Sequence, residues 1–215
     1  MNKDFPYRLY LVTDQALCLG RDFFWVVEEG LKGGVDIVQL REKDLDMESF
    51  SRKAERLKAL CDRYKVPLVI NDDVHVAKSI DAAALHVGQS DSPISDARGV
   101  LGEDFPIGLS LDKISDLEKP KSKLAWYFGV SPIYSTPTKT DTQYEWGLEG
   151  LQDLRKKTHK KLVAIGRVKV ENAAEMIQSG ADCLAVVSGI CSAPSPAHAA
   201  EAFREAIEKG LSKRI

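Results

Sequence analysis

Along the chain, short runs of apolar residues alternate with longer stretches in which apolar positions recur every three or four residues. The short runs, such as LYLV at 9–12, PLVI at 67–70, KLVAI at 161–165 and CLAVV at 183–187, predict strands. They are apolar throughout instead of at every second position, which suits parallel strands covered on both faces. Eight are expected: Arg8–Asp14, Asp36–Glu42, Pro67–Asp72, Ala83–Gly88, Pro106–Leu111, Ala125–Ile133, Lys161–Gly166 and Cys183–Ser188. Helical spacing between them is clearest at Phe50, Ala54, Leu57, Cys61 and Tyr64, and weakest in the short polar stretches 91–102 and 114–123. Two junctions match, GGVDIV at 33–38 and SGADCL at 179–184, and read as one helix-to-strand turn used twice. Eight βα units in 215 residues predict a single α/β domain, a (β/α)8 TIM barrel. A doubly wound open sheet is the alternative, because alternation alone does not prove closure.

Composition changes little in that picture. A hydrophobic content of 44% and a charged content of 29%, with no linker-like tract, fit one folded domain. Thirty Lys and Arg against 32 Asp and Glu leave a net charge of -2. That excludes a nucleic-acid or anionic-membrane binder working through its overall field, though not a local basic pocket. No apolar run approaches the roughly 18 residues a membrane helix needs. Cys18, Cys61, Cys183 and Cys191 include no C-x-x-C pair, and no leader-like segment begins the chain, so reduced thiols in a cytoplasmic protein are expected. The expected partners are small-molecule substrates and copies of the chain in a homo-oligomer, with no nucleic acid and no membrane.

In such a barrel the chemistry sits at the C-terminal ends of the strands. Strand two ends in Gln39, Arg41 and Lys43, which alternation places on one side. Strand three ends in Asn71 and Asp72, strand four in Gln89 and Asp91, and strand five in Ser110; a Ser/Thr/Pro loop, 135–144, follows strand six and carries Thr136, Thr138 and Lys139. Arg41, Lys43 and Lys139 together point to a polyphosphate, Arg through bidentate contacts and Lys as a point charge. Asp72 and Asp91 read either as an acid/base pair or as ligands of one hard cation. Fixed cations beside them imply a highly charged anion, and Mg2+ binds such anions through one or two carboxylates, so the cation is favoured. His75, His86, His159 and His198 lack metal-type spacing and read as structural or surface residues. A second anion signal lies in IGRV at 165–168 and VSGI at 187–190, where Gly166 and Gly189 permit close backbone approach to a phosphate.

With these residues in view, the chain resembles the thiamine phosphate synthase family along nearly its whole length. The matching segments include LYLVTD at 9–14, VQLREK at 38–43, PLVIND at 67–72, LHVGQSD at 85–91, STPTKTD at 135–141, VAIG at 163–166 and AVVSGI at 185–190. The resemblance implies a transferase that joins an aminopyrimidine methyl diphosphate to a thiazole phosphate, releasing pyrophosphate, with Mg2+. It implies that Gln39, Arg41, Lys43 and Asn71 contact the pyrimidine diphosphate, that Asp72 and Asp91 hold Mg2+, and that Ser110 lies against the pyrimidine. Thr136, Thr138 and Lys139 would close over the substrates, and Gly166, Val187 and Ser188 would bind the thiazole phosphate. Arg41, Ser110 and Lys139 are the implied catalytic residues. Two positions depart from the family pattern: Arg167 and Ser131 stand where glycines are usual. Arg167 either obstructs the phosphate pocket, reinforces it or points outward. A thiazole tautomerase-like isomerase and a non-catalytic thiazole or thiamine phosphate-binding relative are the competing functions.

Overall fold

The structure, a computed structural model, describes residues 4–91, 93–135 and 145–214. Its strands are β1 Leu9–Val12, β2 Ile37–Leu40, β3 Leu68–Asn71, β4 Ala84–Val87, β5 Ile107–Leu111, β6 Tyr127–Val130, β7 Lys161–Ile165 and β8 Cys183–Val186. Each pairs in parallel with the next, and β1 also pairs with β8, so the sheet closes into a barrel. Closure rules out the open sheet. All eight expected strands are present but shorter, because the backbone turns away at their ends. Asp72 leaves β3 at φ 64 and Gly166 leaves β7 at φ 113, outside the extended region.

Helices α1 Phe23–Lys32, α2 Met47–Arg63, α3 Val74–Ser79 and α4 Ile94–Leu101 follow the first four strands. A 3₁₀ turn, Ile114–Glu118, and the short α5 Pro120–Leu124 follow β5, in the second of the two weakly patterned stretches. Then come α6 Gly147–Lys157, α7 Val170–Gln178, α8 Ser188–Cys191 and α9 Pro196–Leu211. Asp22, Asp46, Asp73 and Ser195 cap α1, α2, α3 and α9 by accepting from a backbone N–H in the first turn.

Alternation along the strands divides the core in two. Leu9, Leu11, Val38, Leu40, Leu68, Ile70, Leu85 and Leu109 face outward into the layer shared with the helices. Tyr10, Val12, Ile37, Val69, Ala84, Tyr127, Val163 and Ala185 face inward and fill the lumen. Phe5, Tyr7 and Trp126 pack edge-on around the base of this inner cluster, where Phe5 meets Tyr127 at 4.9 Å between ring centroids.

The repeated junction has a structural purpose. Gly34 and Gly180 both take positive φ, 99 and 117, and deliver an aspartate to the start of the next strand. Asp36 accepts from the backbone N–H groups of Arg8 and Leu9 and pairs with Arg204 at 2.5 Å. Asp182 accepts from Leu162 N–H at 3.0 Å and pairs with Arg155 at 2.9 Å. Each carboxylate thus ties the preceding strand to an outer helix. Replacing Asp182 by Ala strands the Leu162 amide and removes the acid that pairs with Arg155, and is expected to lower unfolding free energy by about 2–3 kcal/mol with the fold retained. Urea titration checks this, and a loss below about 0.5 kcal/mol, the range of an ordinary surface change, would contradict it.

Candidate active site

The C-terminal ends of the strands enclose a cavity of about 700 Å³. Gln39, Arg41, Lys43, Asn71, Asp72, Asp91 and Ser110 all line it. They meet there for a simple reason: the inward positions of β2, β3 and β5 change from apolar or small to polar as each strand approaches the mouth. Ile37 gives way to Gln39, Val69 to Asn71 and Gly108 to Ser110.

Charge is sorted around this rim. Glu42, the one acid inside the Arg41–Lys43 segment, turns back to form an ion pair with Lys53 of α2 and also leaves Gln15 bonded to that lysine. Arg41 and Lys43 are therefore not neutralised by their neighbour. Across from them, Gly88 N–H donates to Asp91 Oδ2 at 2.7 Å, and Asn71 Nδ2 donates to Asp72 Oδ2 at 2.5 Å. Asp72 is held in the left-handed region while its N–H donates to the His86 carbonyl at 2.9 Å. A non-glycine residue in that conformation is costly, and such strain gathers at functional sites. Desolvation first, and then the facing Asp91 carboxylate, push the Asp72 carboxyl up to about 6. Two carboxylates crowded in this way suit a shared cation. Among the described residues no group of three or more His, Cys, Asp and Glu could hold a metal, so a cation at this pair would complete its shell from substrate oxygens and water.

Below the rim, a line of polar side chains crosses the lumen. Gln39 Nε2 donates to the Tyr10 hydroxyl at 3.0 Å, and the Tyr10 and Tyr127 hydroxyls are 3.1 Å apart. His86 Nδ1 lies 2.8 Å from the Tyr127 hydroxyl and His86 Nε2 lies 2.9 Å from Ser110 Oγ. Two glycines make the room. A Cβ at Gly108 would sit 2.2 Å from the Tyr127 ring, and one at Gly129 would sit 3.0 Å from His86. His86 is the site residue that metal-type spacing missed. Its signal was alternation: Ala84 and His86 occupy the inward positions of β4, and His86 pairs with Asn71 across the sheet. Gln89 braces the opposite side, donating to the Ser110 carbonyl at 2.6 Å and accepting from Lys119 at 3.0 Å.

The remaining expected residues lie elsewhere. Gly166 and Val187 immediately follow Ile165 and the strand of Ala185, both of which line the cavity, and Ser188 opens α8. None of these three is itself in the cavity wall. A Cβ at Gly166 would fall 2.7 Å from Pro132 and 2.8 Å from the Ile133 nitrogen, so only glycine fits that approach. Arg167 adopts φ 49, the conformation a glycine would take, at a cost of roughly 1–2 kcal/mol. Its side chain is exposed and outside the cavity wall, so it does not obstruct the cavity. Ser131 is nearly buried and lines the cavity. Thr136, Thr138 and Lys139 lie outside the described residues.

A closed parallel barrel whose mouth gathers cations, a crowded carboxylate pair and a polar lumen defines a βα-barrel enzyme built for an anionic substrate. The family model for thiamine monophosphate synthase matches residues 9–190, and the chain belongs to that family. It is 47% identical over 201 residues to a thiamine-phosphate synthase of Albidiferax ferrireducens, covering 94% of this chain and 92% of the relative. A thiamine-phosphate synthase of Clostridium acetobutylicum is 39% identical over 98% of this chain and 100% of its own length. Among solved structures, a thiamine phosphate pyrophosphorylase from Pyrococcus furiosus superposes with a TM-score of 0.86 at 29% identity, covering 96% of this chain and 98% of that one. A 3-hexulose-6-phosphate synthase shares the fold at a TM-score of 0.68 and 17% identity.

The raised Asp72 pKa has a consequence for stability. The folded value of about 6 lies above the ordinary 3.8. The stabilisation is therefore complete below the unfolded pKa and is lost as pH rises through about 6. In chelator-containing buffer, Asp72→Asn should gain melting temperature over the parent chain between pH 5 and pH 7.5. A difference that stays constant or shrinks over that interval would contradict the raised Asp72 pKa that burial and the facing Asp91 produce.

Proposed function

We propose that the chain is a thiamine-phosphate synthase, a transferase that joins an aminopyrimidine methyl diphosphate to a thiazole phosphate and releases pyrophosphate. The observation that carries this reading is the sorted rim, with Arg41 and Lys43 on one side of a single cavity and the Asp72–Asp91 pair on the other. An isomerase acting on a thiazole would have no use for that array.

In this reading Asp72 and Asp91 hold Mg2+, because two facing carboxylates, one of them disfavouring its own ionisation, are the donor set a divalent cation relieves. When bound, the metal supplies charge neutralisation at the diphosphate oxygens. Arg41 and Lys43 accept the negative charge that builds as the carbon–oxygen bond of the pyrimidine methyl group breaks and both electrons leave with pyrophosphate. Fixed charges of this kind cost no reorganisation during the step, which suits a site with cations on its rim. Gln39, Asn71 and Ser110 orient the pyrimidine diphosphate. The aminopyrimidine ring delocalises the resulting methylene cation, and the thiazole nitrogen attacks it within the same enclosure. Gly166, Val187 and Ser188 offer backbone to the thiazole phosphate, and the family resemblance assigns Thr136, Thr138 and Lys139 to substrate binding, with Lys139 at the pyrophosphate. A cytoplasmic location is inferred as well, supported by four free buried cysteines, which fit a reducing compartment.

Purified protein mixed with both substrates and Mg2+ should form thiamine phosphate, and excess EDTA should abolish it. Arg41→Ala should lower kcat/KM for the pyrimidine diphosphate by roughly 10²-fold with the fold intact. Mg2+ should also raise the melting temperature at pH 7.5 in the parent chain and not in Asp72→Asn, a readout that needs no turnover. A folded protein that makes no product would overturn the assignment, and turnover undiminished by EDTA would remove the metal from Asp72 and Asp91.

A further inference from the structure

The line of side chains across the lumen has a direction. The Gln39 amide nitrogen can only donate, and it donates to the Tyr10 hydroxyl. Tyr10 is 1% exposed and Tyr127 fully buried, and burial pushes both phenols well above the ordinary tyrosine range, so each keeps one O–H. A buried O–H left without an acceptor is costly, so the Tyr10 proton goes to the Tyr127 oxygen 3.1 Å away. Tyr127, already accepting, donates in turn to His86 Nδ1 at 2.8 Å. A neutral imidazole that accepts at Nδ1 carries its proton on Nε2, where it donates to Ser110 Oγ at 2.9 Å. Among the described residues, Ser110's own hydroxyl proton is then left over, on a side chain that lines the cavity.

We propose that Tyr10, Tyr127 and His86 are positioning residues that fix the polarity of this chain, so that Ser110 is held as a hydrogen-bond donor toward the substrate ring. Gln39 sets the polarity from the far end, and its carbonyl oxygen remains an acceptor. Donor at Ser110 and acceptor at Gln39 complement the edge of an aminopyrimidine, which carries a ring-nitrogen acceptor beside an amino donor. This last step rests on the reading of the cavity as the pyrimidine diphosphate site; the polarity does not. The arrangement is specifically built, since Gly108 and Gly129 are the residues that leave space for the Tyr127 and His86 rings, which stack at 5.5 Å between centroids and 21°.

Polarity is readable without turnover. In protein labelled with 15N-histidine, the His86 signals, assigned by their loss in His86→Gln, should show the proton on Nε2 and a bare Nδ1 in the ligand-free protein. A proton on Nδ1 would reverse the chain and overturn the proposal. Kinetics supply the second arm. Tyr127→Phe removes the donor to Nδ1, and should raise KM for the pyrimidine diphosphate about tenfold while leaving KM for the thiazole phosphate unchanged. Adding Ser110→Ala to that variant should then cost less than about twofold more, because the two act through one hydroxyl. Losses that multiply, or an equal rise in both KM values, would reduce Tyr127 to a structural role and overturn the proposal. If the chain makes no product at all, the tautomer still decides the polarity, and only the pyrimidine assignment falls.

Discussion

A closed barrel of parallel strands leaves its inward side chains no alternative place to go. Each strand alternates, so every second residue must enter the lumen, and what stands at those positions is either packed or presented at the mouth. In this chain the lower positions carry Tyr10, Ile37, Val69, Ala84 and Val163, which fill the lumen, and the upper ones carry Gln39, Asn71, His86 and Ser110. The site is a consequence of where the apolar pattern stops. The aspartate turns at Asp36 and Asp182 fix the opposite end, which keeps the strands in the register that brings the polar positions level.

Charge at the mouth is arranged by removal as much as by placement. Glu42 would neutralise Arg41 and Lys43 if it faced the cavity, and it is instead held by Lys53. Asp72 and Asp91 are brought together by bonds from Asn71 and Gly88, at the expense of a raised Asp72 pKa. Neither arrangement favours the empty protein. Both are natural in a protein whose resting charges are completed by a polyanion and its cation, the partners a thiamine-phosphate synthase would meet.

Much of the fold was legible in the sequence, because continuous apolar runs separated by helical spacing are what a parallel barrel requires. The poorly marked stretch at 114–123 became a 3₁₀ turn and a five-residue helix, too short for any periodicity to show. The rim was legible too, since polar residues directly follow apolar strands. His86 was not. Judged by spacing to other histidines it looks structural, and only the alternation of a four-residue strand, with closure to give the inside a meaning, brings it against Ser110. Nor was the fate of Arg167: a bulky residue in a glycine position invites a clash, and the structure absorbs it in backbone φ with the side chain turned to solvent. Closure itself could not be read from any local pattern, because it depends on the pairing of β1 with β8.

The most direct measurement of this account is a crystal structure of the protein grown with Mg2+ and inorganic pyrophosphate. One metal ion is expected between Asp72 and Asp91, with pyrophosphate bridging it to Arg41 and Lys43. Pyrophosphate bound away from Arg41 and Lys43, or a metal that avoids the two aspartates, would contradict it.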